Sequence, residues 1–290
     1  VGGQTFVIYP PSLDDKQGVH RKLLKNKAAQ FKTSDEFLKS PIEEEISQYT
    51  SRLATQTKQD YIEPRFTTHG LKRPNPVKRF LTKGTSSDSS NGQLGVILAS
   101  AGQGKTYMSR HIVGKMAQNS HISLVPILVD SSQWNKMAME DQTSLWKTIA
   151  HSFKYFDSPI SWIQGNEFQF LESTLKANIF RIVFDGFDEY ILRNKSLIKP
   201  SDVLNNLNRL AKDTGTRIVI TSRTSFFKEE IPYNLDELSK RQDIEFFEIK
   251  PFDEGKARNY FEKNIQDGKA SDRAVNIYRK IKGSDEEFVG

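Results

Sequence analysis

Two hydrophobic periods alternate along the middle of this chain. Apolar runs of about strand length fall at residues 94–98, 123–129, 180–184, 216–220 and 244–249, and each predicts a buried strand. Between them apolar residues recur every three or four positions. That spacing predicts helices over 107–113, over 143–156 (Leu145, Trp146, Ile149, Phe153, Phe156), over 167–178 (Phe168, Phe170, Leu171, Leu175) and over 201–212, the last capped by Ser201 and Asp202. Strand–helix alternation across 94–265 predicts an α/β fold, a parallel five-stranded sheet flanked by helices. Pro126 interrupts the second run, and a residue without an N–H belongs on an edge strand or at a bulge.

The flanks follow other patterns. Residues 5–9 form a short apolar piece halted by Pro10 and Pro11, and a basic patch covers 20–27. Helical spacing of Phe37, Leu38, Ile42, Ile46, Tyr49 and Leu53 predicts packing helices broken near Ser40 and Pro41. Residues 83–92 are Ser-, Gly- and Asp-rich and predict a flexible loop. After the last strand, Pro251, Phe252 and Asp253 lead into a helix carrying Ala257, Tyr260 and Phe261, and the final 25 residues begin a further helical domain. The expected division is an N-terminal linker and helical segment (1–58), an α/β core (59–252) and the start of a small helical domain (253–290).

The first core strand runs into Ala99, Ser100, Ala101, Gly102, Gln103, Gly104, Lys105, Thr106 and Tyr107. A strand, a small-residue turn, Gly-Lys-Thr and a helix make a phosphate-binding loop. Gly102 and Gly104 free the backbone so that successive N–H groups can curl around a phosphate. The helix N-terminus adds partial positive charge. Lys105 supplies a full charge to the β- and γ-phosphates, and the Thr106 hydroxyl can ligate Mg²⁺. The usual pattern begins with Gly where this chain has Ala99, the mildest replacement available.

A second cluster follows the third strand. Asp185 at its tip can hold Mg²⁺, directly or through water, opposite Thr106, and Gly186 makes the tight exit. Asp188 or Glu189 then lies where a carboxylate can polarise an attacking water. The fourth strand ends in Thr221, Ser222 and Arg223; ligands gather at such strand ends, so Arg223 is placed to sense the γ-phosphate and the two hydroxyls to position water. An ordinary surface arginine is the alternative. Upstream, Tyr61, Ile62, Glu63, Pro64, Arg65 and Phe66 read either as a packed turn or as a clamp for an adenine base.

Composition narrows the class. The 290 residues include no cysteine, which removes disulfides and thiolate metal sites and fits a reducing compartment. The five histidines stand apart, with no metal-ligand spacing. No apolar stretch approaches the roughly 20 residues a membrane helix needs. A net charge of +6 biases the surface mildly toward anions, which a nucleotide explains in part and a nucleic acid could share. Val1 and the open C-terminal end lead us to expect a piece of a longer protein.

The loop at 99–106, the run Ile182-Val-Phe-Asp-Gly-Phe-Asp-Glu189 and the run Arg217-Ile-Val-Ile-Thr-Ser-Arg223 together resemble the NACHT family, a branch of the STAND signalling ATPases within the AAA+-like P-loop group. Residues 249–253 and 257–261 are similar to the segment leaving a NACHT core for its small helical domain. The resemblance covers roughly 60–265. It implies ATP/ADP and Mg²⁺ as cofactors, phosphate and cation binding by Lys105, Thr106 and Asp185, and hydrolysis by Asp188 and Glu189. It also implies a sensor role for Arg223 and adenine binding along 61–65. For the whole protein it implies a cytoplasmic switch, slow in ATP hydrolysis, joining effector and sensor domains and forming a homo-oligomer on activation, as in defence and immunity signalling. A nucleic-acid-acting AAA+-type ATPase is the alternative, motivated by the positive balance. A small-molecule kinase and a non-hydrolysing nucleotide scaffold rank below it.

Overall fold

The computed structural model describes residues 5–9, 29–33, 43–55, 61–68, 71–73, 75, 77, 81, 94–118, 124–131, 175, 180–195, 198–231 and 244–287. The basic patch at 20–27, the loop at 83–92, the helix expected at 143–156 and all of 167–178 except Leu175 lie outside them.

The core is one seven-stranded sheet. β3 (Arg65–Thr68) and β4 (Leu71–Arg73) form a hairpin, followed by β5 (Leu94–Ala99), β6 (Val125–Val129), β7 (Phe180–Phe184), β8 (Arg217–Arg223) and β9 (Ile244–Lys250). Their order is β4-β3-β9-β5-β8-β7-β6. The five strands expected from the sequence are all present and mutually parallel. The expected count of five falls short because β3 pairs antiparallel with β9 and extends the sheet by a hairpin. Phe66 explains the attachment: it is fully buried opposite Ile249, so the segment gains apolar burial by adding to the sheet.

β5 lies between β9 and β8, and all six of its residues are buried. A strand covered on both faces reads as a continuous apolar run, which is why it stood out in the sequence. β6 closes the other edge, so Pro126 sits where a missing N–H is tolerated. α1 (Glu43–Ala54) packs along α2 (Lys105–Gln118) beside that edge. The buried Tyr49 hydroxyl accepts the Leu128 N–H at 2.9 Å, satisfying a backbone donor that the edge strand would otherwise leave open.

α3 (Phe187–Arg193) and α4 (Pro200–Thr214) follow β7, α5 (Thr224–Glu230) follows β8, and α6 (Glu254–Asn264) and α7 (Gly268–Glu287) follow β9. The cap expected at Ser201 and Asp202 is displaced: α4 begins at Pro200, with Lys199 as an extended N-cap residue and no side-chain cap bond. Proline at the first helical position has its φ pre-set and no N–H to satisfy, so it starts the helix one residue sooner. Gly215 ends α4 in the left-handed conformation, at φ 69°. Apart from this sheet, β1 (Thr5–Tyr9) and β2 (Ala29–Thr33) pair in parallel; the second of these strands was not foreseen in the N-terminal segment.

Candidate nucleotide site

The carboxyl ends of β5, β7 and β8 converge on a cleft of about 670 Å³. Ala101, Gly102, Gly104, Lys105, Thr106, Tyr107, Arg110, Thr55, Glu189 and Arg223 line it.

The loop has the backbone its glycines allow. Gly102 and Gly104 sit at φ 77° and 79°, the left-handed region in which a β-carbon is strained. Gln103 folds back on the loop: its Oε1 accepts the Ser100 N–H at 2.8 Å and its own N–H donates to Ser100 O at 3.3 Å. Ser100 and Gln103 therefore brace the loop, while Lys105, Thr106 and Tyr107 face the cleft from the first turn of α2. Ala99 is fully buried as the last residue of β5, opposite Arg223. At that position the chain is regular strand, which alanine adopts freely.

The acidic end is layered. Asp185 lies just past the tip of β7, its N–H donating to Val129 O at 2.9 Å. Its Oδ1 accepts from the Thr221 hydroxyl at 2.7 Å and from the Ser109 hydroxyl at 3.3 Å. Thr221 Oγ1 in turn accepts the Gly186 N–H at 3.0 Å. Thr221 and Ser222 are both fully buried, so Thr221 orients the carboxylate instead of facing water as the sequence suggested. Gly186 is required twice over: its φ is 87°, and a β-carbon there would stand 2.7 Å from Ser131 Cβ.

Asp188 and Glu189 part company on α3. Asp188 is 1% exposed, with Oδ2 2.9 Å from Arg223 Nε, an ion pair that holds the base of a half-exposed guanidinium. Glu189 is exposed at the cleft, its Oε2 accepting from Ser131 Oγ at 2.8 Å. Burial raises the Asp188 carboxyl above its ordinary value of 3.8, against the opposing pull of Lys105 and Arg223. Burial likewise lowers Lys105 from 10.5, although Asp188, Asp185 and Glu189 favour its charge. A desolvated ammonium beside an open cleft is suited to an anionic ligand.

The 61–65 segment stands next to this cleft without lining it as it is. Tyr61 stacks on His111 of α2, with centroids 3.7 Å apart, and lies 5.8 Å from the Tyr107 ring. Its hydroxyl is buried with no hydrogen-bond partner among the described residues, and burial raises it above its ordinary value of 10.0. Pro64 is buried, Ile62 half-buried, and Arg65 forms an ion pair with Asp253 at 2.6 Å.

Several lining or supporting residues escaped the sequence reading. Ser109 stands four residues after Lys105, on the same helical face, and that spacing was the available signal. Arg110, paired with Asp130 at 3.2 Å, carries no motif. Thr55 reaches the cleft from the end of α1 by tertiary packing alone.

The NACHT domain profile matches residues 94–268, more than half of the chain. No curated protein matches the sequence. Among solved structures, the ORC2 protein of Aeropyrum pernix in its ADP form is 15% identical with a TM-score of 0.41, over 74% of this chain and 56% of that one. Domain III of the Thermotoga maritima replication initiation protein DnaA is 14% identical with a TM-score of 0.35, over 67% and 75%. A STAND protein with a tetratricopeptide repeat sensor from Pyrococcus horikoshii is 16% identical with a TM-score of 0.34, over 69% and 28%. This chain thus spans little more than half of the ORC2 protein's length. These structural likenesses are shallow, and the assignment rests on the profile together with the loop and acidic strand tip it encloses: the chain belongs to the NACHT domain family.

Proposed function

We propose that this chain is the nucleotide-operated core of a signalling switch, binding ATP and hydrolysing it slowly to control opening and oligomerisation of a larger sensor–effector protein. The observation that carries this reading is the cleft itself. One wall is a glycine loop and a desolvated Lys105; facing it are Glu189 and Arg223, with Asp185 and Asp188 buried behind.

Each residue has a role in it. Lys105 and the loop N–H groups hold the phosphates, and Tyr107 lines the cleft beside them. Among the described residues no cluster of three or more His, Cys, Asp or Glu could hold a metal by itself. Thr106 and Asp185 supply the hydroxyl and carboxylate oxygens that suit Mg²⁺, an ion that keeps waters and phosphate oxygens as its remaining ligands. Bound there, the ion would neutralise charge on the β- and γ-oxygens. Glu189, at the cleft surface, is the carboxylate that polarises water. Asp188 aims Arg223, the γ-phosphate sensor. Tyr61, whose hydroxyl has no hydrogen-bond partner among the described residues, is the group that meets the base, with Ile62, Pro64 and Arg65 shaping that side.

Slow turnover, a cytoplasmic setting and a part in defence belong to the same reading. The test begins with calorimetric titration of ADP and ATP into wild type and Lys105→Ala. We expect a loss of roughly tenfold or more, the scale of a charged hydrogen bond removed. Equal affinity in the two proteins would end the phosphate-loop assignment. Turnover that rises with DNA or RNA and falls steeply with salt would favour the nucleic-acid-acting alternative.

A further inference from the structure

The first turn of α6 is joined to the 61–65 segment by two contacts that no sequence motif announces. Asp253 divides its carboxylate between two elements. Oδ1 caps α6, accepting the Lys256 N–H at 2.8 Å, and Oδ2 lies 2.6 Å from Arg65 Nη2 at the start of β3. Lys256 reaches the same segment from within that turn, its Nζ donating to Glu63 O. Four residues before Arg65, Tyr61 lies flat on His111 and beside Tyr107, which lines the cleft. The segment is thus held at one end by α6 and at the other by the helix that carries the phosphate loop.

The far side of this junction is a unit of its own. Tyr278 of α7 donates its hydroxyl to Phe252 O at 2.6 Å. Arg279 pairs with Glu254, and Arg258 with Asp272 at 2.8 Å, tying α7 to α6. Among the described residues the element contacts of α6 are chiefly with α7, and the side-chain contacts of Asp253 and Lys256 join the hairpin to the sheet through residues 251–256 and the 61–65 segment.

We propose that Asp253 and Lys256 are positioning residues for base recognition: they hold Tyr61 against the phosphate-loop helix, and thereby link occupation of the cleft to the placement of the α6–α7 hairpin. This rests on the reading that the cleft binds a nucleotide whose base meets Tyr61. A half-exposed ion pair is weak by itself. Here, however, one carboxylate serves cap and segment together, and a lysine clamps the adjoining carbonyl. Displacement of the segment and displacement of α6 therefore oppose each other's contacts. Linkage is reciprocal, so a nucleotide that favours one placement of Tyr61 favours one placement of the hairpin by the same factor.

The test separates the base end of the ligand from its phosphate end. ADP and inorganic tripolyphosphate are titrated into the whole chain by calorimetry. The proteins are wild type, Lys105→Ala, Asp253→Asn, Lys256→Met and Lys256→Arg. Asparagine keeps the cap acceptor and removes the charge, so α6 is retained. We expect Asp253→Asn and Lys256→Met each to weaken ADP about fivefold or more while tripolyphosphate changes by less than about twofold, and Lys256→Arg to restore ADP affinity. ADP binding unchanged in both variants overturns the proposal. So does a parallel loss of ADP and tripolyphosphate, which would mark general loosening. In either case a Lys105→Ala protein that has lost both ligands leaves the nucleotide reading standing. If Lys105→Ala binds both as tightly as wild type, or wild type binds neither, the nucleotide reading fails and takes this inference with it.

Discussion

Asp188 and Glu189 are adjacent in the chain and opposite in circumstance, and the difference sets how stability responds to pH. Burial dominates at Asp188 and raises it above 3.8, so the folded chain holds that proton more tightly than the unfolded chain does. Stability from this group is therefore full below the ordinary carboxylate range and is lost as pH rises through the folded value. Lys105 behaves in the reverse sense at alkaline pH: its folded value lies below 10.5, the unfolded chain binds more protons, and stability rises with pH across that interval. We expect Asp188→Asn, measured by thermal unfolding without nucleotide, to be at least as stable as wild type near neutral pH, with the advantage shrinking toward about pH 4. Hydrolysis should fall in the same variant, because Arg223 loses the charge that aims it. A variant less stable than wild type at neutral pH would mean that the Asp188–Arg223 pair outweighs the burial of Asp188.

At the level of elements, the edge strand β6 depends on a helix outside the matched NACHT region. α1 covers α2 and the β6 edge, and Gln118 Nε2 donates to Ala54 O at 3.0 Å where the two helices end. The Tyr49 ring is buried and its hydroxyl takes the Leu128 N–H. Tyr49→Phe keeps the ring and leaves that N–H without its acceptor, which costs about 1–3 kcal/mol for a buried donor. Urea unfolding should show this loss as a lower midpoint with an unchanged slope. No loss would mean that water reaches Leu128 N–H and that α1 covers the edge only loosely. Because Thr55 at the end of α1 lines the cleft, the same helix that protects the edge also shapes the site.

For the whole molecule, a nucleotide can drive a switch only through unequal affinity for two states. The pieces that could differ are the sheet with its phosphate loop and the α6–α7 hairpin, joined through residues 251–256 and the 61–65 segment. Light scattering should find the chain at monomer mass with ADP and at higher mass with Mg²⁺ and a non-hydrolysable ATP analogue. Equal mass in both would remove oligomerisation by this chain from the proposal and leave nucleotide binding untouched. Among the described residues no helix is long and apolar enough to cross a membrane.

The five parallel strands, the phosphate loop and the aspartate at the tip of β7 were all legible in the sequence, because each is encoded by contiguous residues. A strand buried on both faces must be apolar throughout, a loop that wraps a phosphate needs left-handed glycines, and a carboxylate at the sheet's active end must directly follow its strand. What only the tertiary structure decided depends on residues far apart in the chain. The β3–β4 hairpin joins β9 from about 180 residues away, as in the pair Phe66 and Ile249. Thr55 lines the same cleft as Lys105, and Asp253 meets Arg65. The division of labour between Asp188 and Glu189 turns on which face of a short helix meets β8. Hydropathy would place Arg181 at the surface, yet it is 1% exposed between β6 and β8, its Nη1 bonded to Phe180 O at 2.9 Å. Local chemistry is written residue by residue; the neighbours that complete it are chosen by sheet order and helix packing.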